Sequence, residues 1–157
     1  MAYRNIDKND PRYDPSSLIV SMENEEIECE SAAYGDNVTV GEARALGTSL
    51  PVGDTAGQYK ADELEITMHE DAHQRLLERL KSLAGGLPVS RRRVTITASY
   101  SEIDPRNGSG MPQKTDTIEG ARYIGTKKSA SQGSDPLKVT ARFYVHRVRW
   151  HGEIYLA

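Results

Sequence analysis

The sequence predicts a mainly β domain carrying one flanking α-helix. Three observations lead there. From Lys60 to Met68 apolar Leu64, Ile66 and Met68 alternate with Glu63, Glu65 and Thr67, the period-two signature of a half-buried strand. The period then changes: Ala72, Leu76, Leu80 and Leu83 follow at helical steps and form one apolar stripe. Outside this strand-to-helix unit the apolar residues again alternate, above all in 94–99, 115–124 and 137–150.

The helix has start and stop signals. Thr67 and Glu70 fit a capping box, in which each side chain would satisfy an orphan backbone N–H. Asp71 suits the positive end of the helix dipole, and Arg79 and Lys81 the negative end. Gly85-Gly86 and Pro88 prevent its continuation.

In chain order, residues 1–17 hold Pro11, Pro15 and several Asp and Asn without periodicity, which predicts an extended N-terminal arm. Leu18-Ile19-Val20 starts a strand. A turn at Glu23-Asn24-Glu25 then leads into a second one, where Ile27, Cys29, Ser31 and Ala33 alternate with Glu26, Glu28, Glu30 and Ala32. Residues 34–56, with Gly35, Gly41, Gly47, Pro51 and Gly53, read as a long loop, a length usually kept for function. Polar turn residues fill 104–114, and 127–135 reads as a second loop. The longest strand is expected at 137–150, with Val139, Ala141, Phe143 and Val145 on one face; Arg142, Tyr144 and His146 lie on the other. Gly152 permits a last turn.

A length of 157 residues predicts a single domain, 1–157. Charged residues make up 27% and hydrophobic ones 37%, polar enough to suggest segments ordered only by a partner. One cysteine, Cys29, excludes an internal disulfide framework. No apolar run reaches membrane-spanning length and the first residues lack a signal-peptide pattern, so a soluble protein made in the cytoplasm, without membrane insertion, is expected. Residues 1–90 hold 17 acidic and 8 basic residues, whereas 91–157 hold 6 and 12. Such asymmetry either neutralises itself across one sheet or serves self-association, acidic surface to basic surface.

His69-Glu70-Asp71-Ala72-His73 is a literal H-E-x-x-H, the helical zinc motif of metalloproteases. A catalytic zinc needs a third protein ligand. The extended motif would need Gly and His where this chain has Leu76 and Arg79, and Arg91-Arg92-Arg93 would repel a cation. The expectation is therefore no metal, no cofactor and no catalytic residue. Arg91-Arg92-Arg93 could contact phosphate, but beside a strand it reads rather as a rim or an interface.

Several passages together resemble a bacteriophage tail tube protein of the contractile-tail type. They are Asp14-Pro15-Ser16-Ser17-Leu18-Ile19-Val20, Gly57-Gln58-Tyr59-Lys60-Ala61, the strand-to-helix unit, Thr117-Ile118-Glu119-Gly120-Ala121-Arg122, the stretch 131–137 and Val148-Arg149-Trp150-His151-Gly152. The resemblance implies a β-sandwich or half-barrel subunit whose strands complete an inner barrel in a hexameric ring. Rings would stack head-to-tail into a tube that conducts DNA without binding it specifically. It also implies sheath, baseplate or tube-initiator and tail-terminator partners, assembly in the host cytoplasm and residence in the virion tail. A DNA conduit should repel phosphate, which makes Glu26, Glu28, Glu30, Glu63 and Glu65 candidates for its lumen. Val38, Leu46, Leu50, Val52 and Asp54 in the long loop become candidates for contacts between rings. The competing readings are a small zinc-dependent hydrolase using His69, Glu70 and His73, and a β-sandwich binding module with 34–56 as its recognition surface.

Overall fold

The structure, a computed structural model, describes residues 18–47, 50, 53–100, 113–130, 132–133 and 136–156. The expected arm 1–17 lies outside them, as do Val52 and most of the turn region 104–114.

Twelve strands and one α-helix follow in chain order among these residues. The strands are β1 (Ile19–Met22), β2 (Glu25–Ile27), β3 (Ser31–Ala33), β4 (Asp36–Thr39), β5 (Glu42–Ala43), β6 (Gly53–Asp54), β7 (Gln58–Ala61) and β8 (Leu64–His69). Helix α1 (Glu70–Ala84) comes next, then β9 (Arg93–Tyr100), β10 (Lys114–Ser129), β11 (Lys138–Tyr144) and β12 (Arg147–Arg149). The main sheet runs β2-β1-β9-β10-β11-β8-β3, with β12 also paired to β10, and every pairing in it is antiparallel.

The ends of this path are neighbours in the chain. Only Glu28-Cys29-Glu30 separates β2 from β3, so the two edges stand no more than about 15 Å apart there. A flat sheet of that many strands would measure nearly 30 Å across. The sheet therefore has to curl, and it closes almost into a barrel around one core. Leu64, Ile66, Phe143, Ile96, Ile118, Met22 and Met68 fill that core, and Phe143 meets Tyr123 edge-on with ring centroids 5.4 Å apart. Gly120 lets β10 bulge at φ 65°, where a Cβ would come within 2.8 Å of His146.

Helix α1 covers the seam. Arg75 reaches Glu28 at 2.8 Å and Arg79 reaches Glu25 at 2.7 Å, while Ala72, Leu76 and Leu80 are buried beneath. Gly85 ends the helix in the left-handed conformation.

Four local expectations are corrected. The strand at 60–68 is two strands, broken at Asp62-Glu63, and β7 leaves the main sheet to pair with β4. The capping box does not form: His69 is the N-cap, without a side-chain cap bond. Thr67 belongs to β8, its Oγ1 is 3.3 Å from that of Thr140, and Glu70 accepts from Lys128 at 2.9 Å. The expected strand at 27–33 is likewise split between opposite edges of the sheet. The longest strand is β10, which runs into the expected loop at 127–135, whereas 137–150 is interrupted at Val145-His146. The buried face Val139, Ala141, Phe143 and Val145 is nevertheless as the alternation indicates.

Candidate functional site

A hairpin arm is the feature that a closed barrel does not need. Residues 34–56, which read as a loop in the sequence, supply most of it. β4 pairs with β7 from Asp36↔Ala61 to Thr39↔Gln58, and β5 pairs with β6 through Glu42↔Asp54 and Ala43↔Gly53. Gly57, at φ 96°, turns the chain between the two ladders; any Cβ there would sit 2.4 Å from Val38. Thr55 ties them together, donating its N–H to Gly41 and accepting from the Gly41 N–H at 2.9 Å. The arm hides little apolar surface. Leu46 is fully exposed (105%), Leu50 nearly so (72%), and Val40 is exposed too.

The base of the arm, in contrast, is fastened firmly. Asp116 on β10 is only 2% exposed; its Oδ2 accepts from the Tyr34 hydroxyl at 2.6 Å and its Oδ1 from the His151 N–H at 3.1 Å. Asp36 accepts from Trp150 Nε1 at 2.9 Å and from the Tyr59 hydroxyl at 3.0 Å, and that hydroxyl also takes the Val148 N–H. Tyr34 stacks on Trp150 with centroids 5.5 Å apart. Burial pushes the Tyr34 hydroxyl far above its ordinary pKa, and the Asp116 acceptor pushes it further. Next to this network Glu119 takes both Arg147 and Arg149. Desolvation raises its pKa, but the two guanidiniums outweigh that and hold the carboxyl below the usual range. Sequence reading missed this network because its members are far apart in the chain; the one available hint was the cluster of Tyr, Trp and Asp in a polar setting.

The candidate glutamates are dispersed. Glu63 is exposed just before β8, and Glu65 is exposed on β8 opposite Arg142 of β11. Glu26 is exposed on β2 opposite Ser21. Glu28 is paired to Arg75, and Glu30 to Lys138 at 2.9 Å. It is Ser31–Ala33, not the glutamate run, that pairs with β8. Of the loop candidates, Val38 is half-buried against the arm's own turn, Leu46, Leu50 and Asp54 are exposed, and Val52 lies outside the described residues.

His73 faces inward, 3% exposed, with Nε2 3.1 Å from the Tyr123 hydroxyl and 3.4 Å from Thr126 Oγ1. Desolvation lowers its pKa, with Glu70 opposing and Lys128 assisting. His69 is exposed at the helix N-cap. Among the described residues no group of three or more His, Cys, Asp or Glu could hold a metal ion. The cleft between α1 and β2 measures about 90 Å³, well below the usual size of a ligand pocket. Cys29 is half-buried and its thiol is pushed up by burial and by Glu26, as suits a small packing residue. No described helix is long and apolar enough to cross a membrane.

The curled antiparallel sheet, seam helix and projecting hairpin resemble in fold solved Hcp proteins and chains of contractile injection systems. Three solved structures illustrate the likeness. A chain of the 6-fold symmetrised anti-feeding prophage baseplate is 11% identical, with TM-score 0.60 over 84% of this chain and 89% of its own. A chain of the extracellular contractile injection system PVC sheath-tube complex, in its extended state, is 14% identical, with TM-score 0.56 over 87% and 89%. Hcp1 from Flavobacterium johnsoniae is 11% identical, with TM-score 0.52 over 88% and 97%. No protein-family model and no curated protein matches the sequence.

Proposed function

We propose that this chain is the structural subunit of a self-assembling tube, and specifically of a phage tail tube that conducts DNA. Copies associate into rings, six to a ring in keeping with the 6-fold symmetry of the anti-feeding prophage baseplate, and the rings stack head-to-tail. The observation that carries the reading is the hairpin arm, with Leu46 and Leu50 exposed at its far end and its base fastened by buried polar bonds. An element held firmly at one end and exposing apolar side chains at the other is preorganised for a partner. In this reading Leu46, Leu50, Val52 and Asp54 contact the next ring, with Val38 stiffening the arm behind them. Glu63 and Glu65, with Glu26, face the bore and repel phosphate; Glu28 and Glu30 are committed to Arg75 and Lys138. The tube's outer surface and ends receive sheath, baseplate and terminator proteins, and assembly takes place in the host cytoplasm before the tube becomes part of the virion tail. No step in this function calls for a metal or a nucleophile. Negative-stain microscopy and light scattering of the purified protein test it: rings and stacked tubes are expected, and a monomer that persists at high concentration would refute it.

A further inference from the structure

The cross-strand register contains two like-charge pairs. On the body, Arg122 of β10 stands directly opposite Arg93 of β9 and, on its other side, opposite exposed Tyr144 of β11. Exposed Arg91 and Arg92 lead into β9, and Ile124, also exposed, lies two residues along β10. Arg122 Nε donates to the Ser90 carbonyl at 2.8 Å, which orients its guanidinium, and Arg93 reaches the Gly120 carbonyl at 3.4 Å. None of these four arginines forms an ion pair among the described residues. On the arm, Glu42 of β5 stands opposite Asp54 of β6, both exposed, and only Glu42 is met by Arg44. Like charges set opposite each other destabilise a strand pair; on the arm Arg44 offsets part of this at Glu42, whereas the Arg93–Arg122 pair has no counter-charge among the described residues.

We infer that the arm of one copy docks on the Arg91-Arg92-Arg93-Arg122 patch of a second copy. The carboxylates of Glu42 and Asp54 meet the arginines, and Leu46 and Leu50 come to rest on Tyr144 and Ile124. The inference rests on the tube reading and supplies the surface that receives the arm. Charge and apolarity match together: a nucleic acid would satisfy the arginines but offers Tyr144 and Ile124 no aliphatic partner. Such a contact is heterologous, arm to body, and propagates from copy to copy without closing on itself.

A charge swap tests this. Arg91→Glu with Arg92→Glu changes exposed side chains that make no bond among the described residues, and Glu42→Arg with Asp54→Arg changes exposed arm positions. Each double variant should still form rings but raise the protein concentration needed for tubes at least about a hundredfold, because like charges then face each other. Combining all four changes should restore tubes. Circular dichroism checks folding; if either reversal unfolds the chain, Arg91→Gln with Arg92→Gln or Glu42→Gln with Asp54→Asn takes its place, and a partial loss of tubes is expected. Rings that stack normally in either reversal, or a fourfold variant that fails to regain tubes, would overturn the docking. Retention of a labelled DNA duplex that depends on Arg91 and Arg92 while stacking is unchanged would overturn it in favour of nucleic acid. A wild type that forms no rings sinks the tube reading itself, and the docking with it.

Discussion

Replacing Asp116 with alanine is the sharpest test of how the arm is held. Its carboxylate is almost wholly buried and accepts two hydrogen bonds, from the Tyr34 hydroxyl at 2.6 Å and from the His151 N–H at 3.1 Å. A hydrogen bond to a charged group contributes about 1.5–3 kcal/mol, and a buried donor left unsatisfied costs a similar amount. Tyr34 is only half-buried, so water can reach part of what is lost. The expected loss is therefore about 3 kcal/mol, a large share of the 5–15 kcal/mol typical of a domain. With a urea m-value of about 2 kcal/mol/M, the midpoint should fall by about 1.5 M with its slope unchanged. Tyr34→Phe removes one donor and should cost about 1–2 kcal/mol; the double variant should lose less than the sum of the two, because the residues share one bond. Hydrogen exchange adds the local readout. Amides of β7 and of Trp150 should exchange faster in both variants, while those of β8 and β11 follow global stability. A midpoint shift under about 0.25 M for Asp116→Ala, or strict additivity with Tyr34→Phe, would refute the reasoning.

Three further outcomes are expected. Burial holds the His73 pKa below its ordinary value, so the unfolded chain binds that proton more readily; the His73 contribution is complete above about pH 6.5 and is lost as pH falls from there through the lower folded-state pKa. Thermal midpoints measured from about pH 7.5 down to 5 should decline more steeply for the wild type than for His73→Gln, and parallel curves would count against it. Glu63→Lys with Glu65→Lys should alter stability by about 0.5 kcal/mol or less, since both side chains are exposed. If the chain is the proposed phage tail tube subunit, virions built with that variant should eject DNA poorly at low salt and recover as salt rises, and normal low-salt ejection would remove these residues from the proposed bore. Leu80→Ala, at a fully buried position on the core-facing side of α1, should cost about 2–5 kcal/mol by urea denaturation; a loss under about 1 kcal/mol would mean that α1 is not seated on the core.

Much of the architecture could be read from local pattern. Leu64, Ile66 and Met68 alternate because one face of β8 meets the core, and Ala72, Leu76 and Leu80 repeat because one face of α1 does. Pattern failed where the chain changes partner and shifts phase by one residue. Alternation from Ile27 puts Ser31 and Ala33 on the core side, yet both are exposed and Ala32 packs on the core instead; β2 and β3 pair at opposite edges, with the Glu30 N–H bonded to the Thr67 carbonyl. The arm was illegible as β structure because β5 and β6 have no buried face and hence no apolar alternation. The polar bonds at its base join Tyr34 to Asp116 and Asp36 to Trp150, separations that no local window spans. The glutamates were recognisable as exposed, but which of them meet a cation depends on where α1 and β11 come to lie.

The strand order also sets a timetable for synthesis. β1 waits for β9, with Ile19 opposite Ser99, and β8 waits for β11, with Leu64 opposite Phe143. A ribosome adds about 5–20 residues per second, so the first half of the barrel spends several seconds without the strands that complete it. During that interval only nearby pairings are open to it: β1 with β2, β3 with β8, and the two ladders of the arm. Unpaired edges and the apolar face of β8 are then exposed to other nascent chains, and domains dominated by such distant pairings fold slowly, on the order of milliseconds to seconds. Aggregation during expression should therefore depend on how fast residues 93–149 are delivered, and slow codons placed between α1 and β9 would lengthen the dangerous interval.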